Sequence, residues 1–319
     1  LLFLLQYESD GYAKWQAASR LVIHCIHQAY KNHNANCHIP QELITAFKHL
    51  LVDNSQDMGL IAELLMPPSF EELAQVLEGI DVDLLERVRD SYRKTLGLAL
   101  QEPLLQVYKC LWEAEDHSMT GLAYARRKLR NLCLWLLVKS DETAYLDLSI
   151  KQFDSCQTMT DQMASLSLLV NSANPKVRAQ ALDDFYKQWA KDELVVNKWF
   201  ALQATCELPQ TLDTVKTLMQ HPLFSMKNPN KVRALVSAFC LSNPRHFHAL
   251  DGSGYVFLRE QLQVLDAINP QVAARLANPF TLWNRLDKPR QDLIKQQLQI
   301  LAQCKLSADL AELVEKSLH

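Results

Sequence analysis

Two histidines one helical turn apart, His24 and His27, precede His33, Cys37 and His38, and together these residues are the sequence's best metal-ligand cluster. Histidines at i and i+3 can share an ion, and a Cys or His from the following loop could close a tetrahedral site. On the wheel set by Trp15, Val22 and Ile26, however, His24 and His27 fall on the polar face while Cys25 faces the core. The loop ligands have no Cys-x-x-Cys or His-x-x-x-His spacing, so surface histidines around a polar loop are the expectation. His246-Phe247-His248 is a second candidate, and Asp251-Gly252-Ser253-Gly254 a third. A Gly-Ser-Gly loop ahead of a helix can cradle a phosphate with backbone N–H groups. This one lacks the Lys-Ser/Thr of a P-loop and the strand that precedes a dinucleotide site, and reads as a tight turn capping a helix over 255–267. No Gly-x-Ser-x-Gly is present, and neither Ser nor Cys has an evident His partner. No His-Glu-x-x-His occurs anywhere.

The basic residues remain. Arg126, Arg127, Lys128 and Arg130 point in several directions around their helix, form no stripe and are expected to be solvated. Arg233 and Arg275 each lie about a turn and a half into a helix begun by Asn-Pro, beside an apolar stripe. A guanidinium so placed can grip carboxylate or carbonyl oxygens bidentately, or can serve a structural salt bridge. Between Lys227 and Lys295 there are ten Lys/Arg (227, 231, 233, 245, 259, 275, 285, 288, 290, 295) against five Asp/Glu (251, 260, 266, 287, 292), a local charge of +5. The whole chain is -3, which leaves -8 for the rest. A basic C-terminal third suggests an anionic partner there. It has no aromatic–basic interleaving suited to stacking bases, so no nucleic-acid partner is expected.

The elements that must hold these residues are helices. At 319 residues and 48% apolar the chain can bury a sizeable core. Glycine is scarce, with none between Gly121 and Gly252, which argues against glycine-turned sheets. Apolar residues recur at three and four: Trp15, Ala18, Val22, Cys25, Ile26 and Ala29; Val232, Leu235, Val236 and Phe239; Leu306, Leu310, Leu313 and Val314. Asn174-Pro175, Asn228-Pro229, Asn243-Pro244, Asn269-Pro270 and Asn278-Pro279 each offer Asn as N-cap and Pro at the first helical position. Repeated helices with short connections stack on their neighbours. The expectation is an all-α chain, a right-handed α-superhelix of the armadillo or HEAT kind, forming a single domain over 1–319. The stretches 31–38 and 59–69 read as inter-helix loops. Eight cysteines without Cys-x-x-Cys spacing read as free thiols in a reducing, cytoplasmic compartment. The opening Leu1-Leu2-Phe3-Leu4-Leu5 is short of the ~20 residues a bilayer span takes and has no basic stretch before it. No membrane partner or signal peptide is expected, and a start without Met reads as a segment of a longer polypeptide.

Several stretches resemble the C-terminal domain of bacterial aminopeptidase N, the zinc-dependent alanyl aminopeptidases of the gluzincin family. They are Asn228-Pro229-Asn230-Lys231-Val232-Arg233, Ser242-Asn243-Pro244, Asp251-Gly252-Ser253-Gly254-Tyr255 and Asn269-Pro270-Gln271-Val272-Ala273-Ala274-Arg275-Leu276. Arg127-Lys128-Leu129-Arg130-Asn131 and the run 194–204 are similar to further signatures; Thr158-Met159-Thr160-Asp161-Gln162 departs from another at Thr158 and Gln162, as does Trp15-Gln16-Ala17 at Gln16. The match covers nearly the full length and is weakest over 31–116. It implies a domain that closes over the catalytic domain of the same polypeptide, with Arg233, Gln271 and Arg275 facing the cavity that holds the peptide substrate. It also implies that zinc is bound outside this segment, with none held by this chain and no activity from it alone. A free-standing α-solenoid adaptor binding a protein on its concave face is the alternative.

Overall fold

A computed structural model describes residues 1–53, 57–115 and 117–318, and every described element is helical. The nearest thing to sheet is one isolated parallel bridge between Ile80 and Leu286. The chain divides into two compact units, one of Leu1–Gln75 with Leu84–Val177, the other of Val76–Asp83 with Arg178–His319.

Helix starts follow the side chains able to cap them. Asn174, Asn228, Asn243 and Asn269 each accept a backbone N–H two or three residues on, from Lys176, Asn230, His246 and Val272. Asp10, Asp57, Thr120, Asp141, Asp192 and Asp287 do the same for other helices, each satisfying a donor the helix leaves orphaned. Asn278 departs from the pattern: it sits inside the short helix Asn278–Thr281, whose N-cap is Ala277. The stretch 59–69 also differs from its reading as a loop, because Asp57 caps a helix over Met58–Leu65 with Ile61, Ala62, Leu64 and Leu65 buried. That short apolar run has the helix period but too few residues to stand out against its flanking prolines.

In the first unit the helix Gly121–Ser140 corrects a second expectation. Arg127 and Arg130 are not solvated; they are 1% and 0% exposed. Arg130 pairs with Glu115 at 2.9 Å and Asp161 at 2.7 Å, donates to the Leu111 carbonyl and lies over the Trp112 ring. Arg127 meets the other Glu115 oxygen at 3.0 Å and the Ser118 carbonyl at 2.9 Å. Asn131 donates to Asp161 and accepts from Gln152, which also donates to the Asp161 carbonyl. Arg130 and Asn131 follow Arg127 by three and four residues, on one face. Charge alone suggested solvent, but carboxylates from a loop and from the helix Met159–Val170 meet them inside.

The second unit has its own buried guanidinium. Arg290, 1% exposed, donates to Asp83 at 2.6 Å and to the His248 carbonyl at 2.7 Å, and pairs with Asp287, the cap of its own helix. Beside it, Ile80 and the 285–287 stretch exchange backbone hydrogen bonds of 2.8 and 3.0 Å. The early segment Val76–Asp83 is thereby held by residues two hundred positions later.

Removing one partner of a buried, hydrogen-bonded ion pair leaves the others charged and unpaired, at a cost of about 3–5 kcal/mol. Arg130→Ala should therefore lower unfolding free energy by about that amount in urea titration, whereas Lys128→Ala, whose ammonium reaches only the exposed Glu63, should change it by less than about 1 kcal/mol.

Candidate functional site

The metal cluster does not assemble. His24, His33 and His38 are exposed, while Cys37 turns into the core at 3% exposure, its N–H donating to Ser91 at 2.9 Å. Burial, with Cys25 nearby, pushes the Cys37 thiol up to about 12, so it is no thiolate ligand at neutral pH. Among the described residues no three His, Cys, Asp or Glu side chains converge as a metal site.

The Gly-Ser-Gly loop is a turn. Gly252 has φ +71° and precedes the helix Ser253–Asp266, and Asp251 accepts the Ser253 N–H at 2.9 Å. At Gly254 a Cβ would stand 2.1 Å from the Phe247 carbonyl oxygen, so the helix can pack there only with no side chain. His246 bonds the Glu207 carbonyl at 2.9 Å, and His248 Nδ1 bonds the Tyr255 hydroxyl at 2.9 Å. His248 is held among Phe247, Tyr255 and the Arg290 guanidinium. Burial, and secondarily that cation, push it down to about 3, so its ring is neutral.

The three residues singled out in the C-terminal third are all exposed. Gln271 and Arg275 stand four apart, hence on one face, of the helix Pro270–Leu276 capped by Asn269. Arg233 opens a π turn, Arg233–Ser237, within a helix that continues from Pro229–Val232 into Ala238–Ser242. The Pro270–Leu276 helix packs on Ser253–Asp266 and Ala308–Leu318, whereas the π turn packs on Glu193–Ala204 and Thr211–Leu218. The structure thus brings Gln271 and Arg275 together and sets Arg233 on a separate helix of the same unit.

Their surroundings distinguish them from Lys231, Arg259, Lys288 and Arg290, while Lys227 and Lys295 are exposed like them. Lys231 is buried against Phe200 and reaches the Glu193 carbonyl at 3.5 Å. Arg259 donates to Gln297, Gln263 and Glu260, Lys288 meets Asp292 at 2.7 Å, and Arg290 is the buried clamp. Neither Arg233 nor Arg275 makes an ion pair or side-chain hydrogen bond with any described residue. Sequence reasoning missed the π turn, although its signal was in the spacing of apolar pairs.

The described residues form an all-helical, solenoid-like chain in which Arg233 and Arg275 are exposed. The family model described as "Domain of unknown function (DUF3458_C) ARM repeats" matches residues 1–319, and the chain belongs to that family. Its repeat description agrees with the solenoid-like class expected from the sequence. Over its whole length the chain is 37% identical to aminopeptidase N of Escherichia coli strain K12, across 322 aligned residues, and 35% identical to aminopeptidase N of Haemophilus influenzae. It is similar to the C-terminal domain of aminopeptidase N and spans 37% of the length of these relatives. The crystal structure of Legionella pneumophila aminopeptidase A in complex with aspartic acid superposes with a TM-score of 0.90 at 30% identity, over 99% of this chain and 38% of that one.

The His248 environment sets a pH dependence. Its ordinary value is near 6.5, so below that pH the unfolded chain takes up a proton the folded chain refuses. Stability should fall as pH is lowered from about 6.5 toward 3, by up to about 1.4 kcal/mol per pH unit from this group, with no contribution above that window. His248→Gln should flatten the slope of urea midpoint against pH between 6.5 and 4; an unchanged slope would place the effect elsewhere.

Proposed function

We propose that residues 1–319 form the C-terminal domain of a zinc metallo-aminopeptidase, an enzyme that removes N-terminal amino acids from peptides in the cytoplasm. The observation that carries this reading is the full-length similarity to aminopeptidase N, joined to two exposed arginines that no described residue engages. In the parent enzyme zinc would activate a water for attack on the peptide carbonyl. That chemistry belongs to the catalytic domain, the proposed partner of this one within the same polypeptide. This domain would cap the active site, limit entry to short or unfolded chains and offer Arg233, Gln271 and Arg275 to the peptide beyond the scissile bond. An arginine serves there because its planar fork can take a carboxylate bidentately, or two carbonyls of an extended backbone. Gln271, one turn from Arg275, adds a neutral donor and acceptor. Similarity to both an aminopeptidase N and an aminopeptidase A fits a domain that holds peptide length and entry, with the choice of N-terminal side chain made elsewhere.

Two measurements follow. The chain alone should not hydrolyse alanyl or arginyl chromogenic amides, and should retain no stoichiometric zinc after dialysis; one tightly held zinc per chain would revive the His24, His27, Cys37 and His38 cluster. In the enzyme carrying this domain, Arg233→Ala or Arg275→Ala should lower kcat/KM for peptides by about ten- to a hundredfold. That is the loss of a charged hydrogen bond of about 1.5–3 kcal/mol. Kinetics on single-residue amides, which have no extended leaving group, should hold, and so should the melting temperature, since neither arginine supports the fold. A sharp drop in melting temperature with intact peptide kinetics would assign that arginine to structure instead.

A further inference from the structure

The helix carrying Arg233 contains one residue more than its core requires. Across 231–240 the buried residues come as doublets four apart: Lys231-Val232, Leu235-Val236 and Phe239-Cys240. At 3.6 residues per turn a four-residue step overshoots by about 40°, so an α-helix would rotate the third doublet about 80° away from the first. The π turn absorbs this excess: the Ala238 N–H reaches back five residues to the Arg233 carbonyl, and all three doublets stay inside. Yet the core could be served without it. Deleting Ala234 would leave spacings of three and four, which an ordinary α-helix satisfies, with every buried side chain retained. The extra residue therefore acts on the outer face. It leaves Arg233 and Ala234 together between the inward Val232 and Leu235, where the shortened helix would have Arg233 alone, and Arg233 is exposed and unpaired among the described residues. Of the two cations in Lys231-Val232-Arg233, the first is thus spent on packing against Glu193 and Phe200, and the second stands clear of it.

We propose that the π turn is a positioning element for peptide substrate, its spare residue Ala234 setting the direction in which the Arg233 guanidinium meets the peptide. This rests on the reading of Arg233 as a substrate contact given above. The test compares tetra-alanine with alanine p-nitroanilide in the enzyme carrying this domain. Deletion of Ala234 should give a folded protein, its melting temperature kept or raised and the segment α-helical in a crystal structure. Its kcat/KM for tetra-alanine should fall about tenfold or more while that for the nitroanilide holds. Adding Arg233→Ala to the deletion should lower it no further. Should the Ala234 deletion not fold, deletion of Ala238 is the second variant, since it also restores spacings of four and three. An impaired Arg233→Ala beside a deletion with wild-type peptide kinetics would overturn the positioning role and keep the substrate contact. An Arg233→Ala without effect on peptides would remove the reading beneath it. Failure of both deletions to fold would mark the turn as a packing requirement and equally overturn the proposal.

Discussion

Guanidinium groups withdrawn from water organise this protein. Arg127, Arg130 and Arg290 are among its largest fully buried side chains. A charge taken into a low-dielectric interior is tolerated only where an opposite charge meets it there. Each therefore dictates the placement of several other groups: Glu115, Asp161 and the Leu111 carbonyl around Arg130; Asp83, Asp287 and the His248 carbonyl around Arg290. Burial of apolar helix faces is non-directional and can be satisfied in more than one alignment. A fork of directed donors cannot, and so the helices of each unit acquire a register that burial alone would leave loose.

The same physics separates structural from available cations in the basic third. Lys231 and Arg290 are consumed inside, and Arg259 is shared among three acceptors. Arg233 and Arg275 are left facing solvent. A net charge of +5 over 227–295 thus overstates the positive surface. An ion pair within the fold is the commonest fate for an arginine beside an apolar stripe, and its absence for these two among the described residues is what makes them informative.

Much of the architecture was legible because local signals agreed. Asn-Pro pairs marked helix starts by one mechanism, an acceptor for an orphan donor and a residue with no donor to waste, and four of the five behave so. Gly252 and Gly254 read as a turn, and the positive φ of one and the carbonyl contact of the other account for both. What was not legible depends on partners far away in sequence. Nothing near Arg130 announces Asp161, so a charge-rich helix read as a wet one. The π turn was within reach of the sequence: doublets at intervals of four carry it, but a template that accepts both three and four passes over an unbroken run of fours. For the candidate site, Arg233 and Arg275 could be noticed from their position beside apolar stripes, while Gln271 rested on family resemblance alone.

The bond between Asp83 and Arg290 spans 207 residues of sequence. During synthesis at about 5–20 residues per second, the Val76–Asp83 segment leaves the ribosome some 10–40 s before Arg290 is made. Throughout that interval Ile80 lacks the backbone partners at 285–287 that it has in the finished fold. The segment 76–83 thus waits for its own far end, since its bonds to 285–290 cannot form until those residues have been made. A pause or slow codon late in the message would therefore lengthen the time for which a segment translated early goes without its partners.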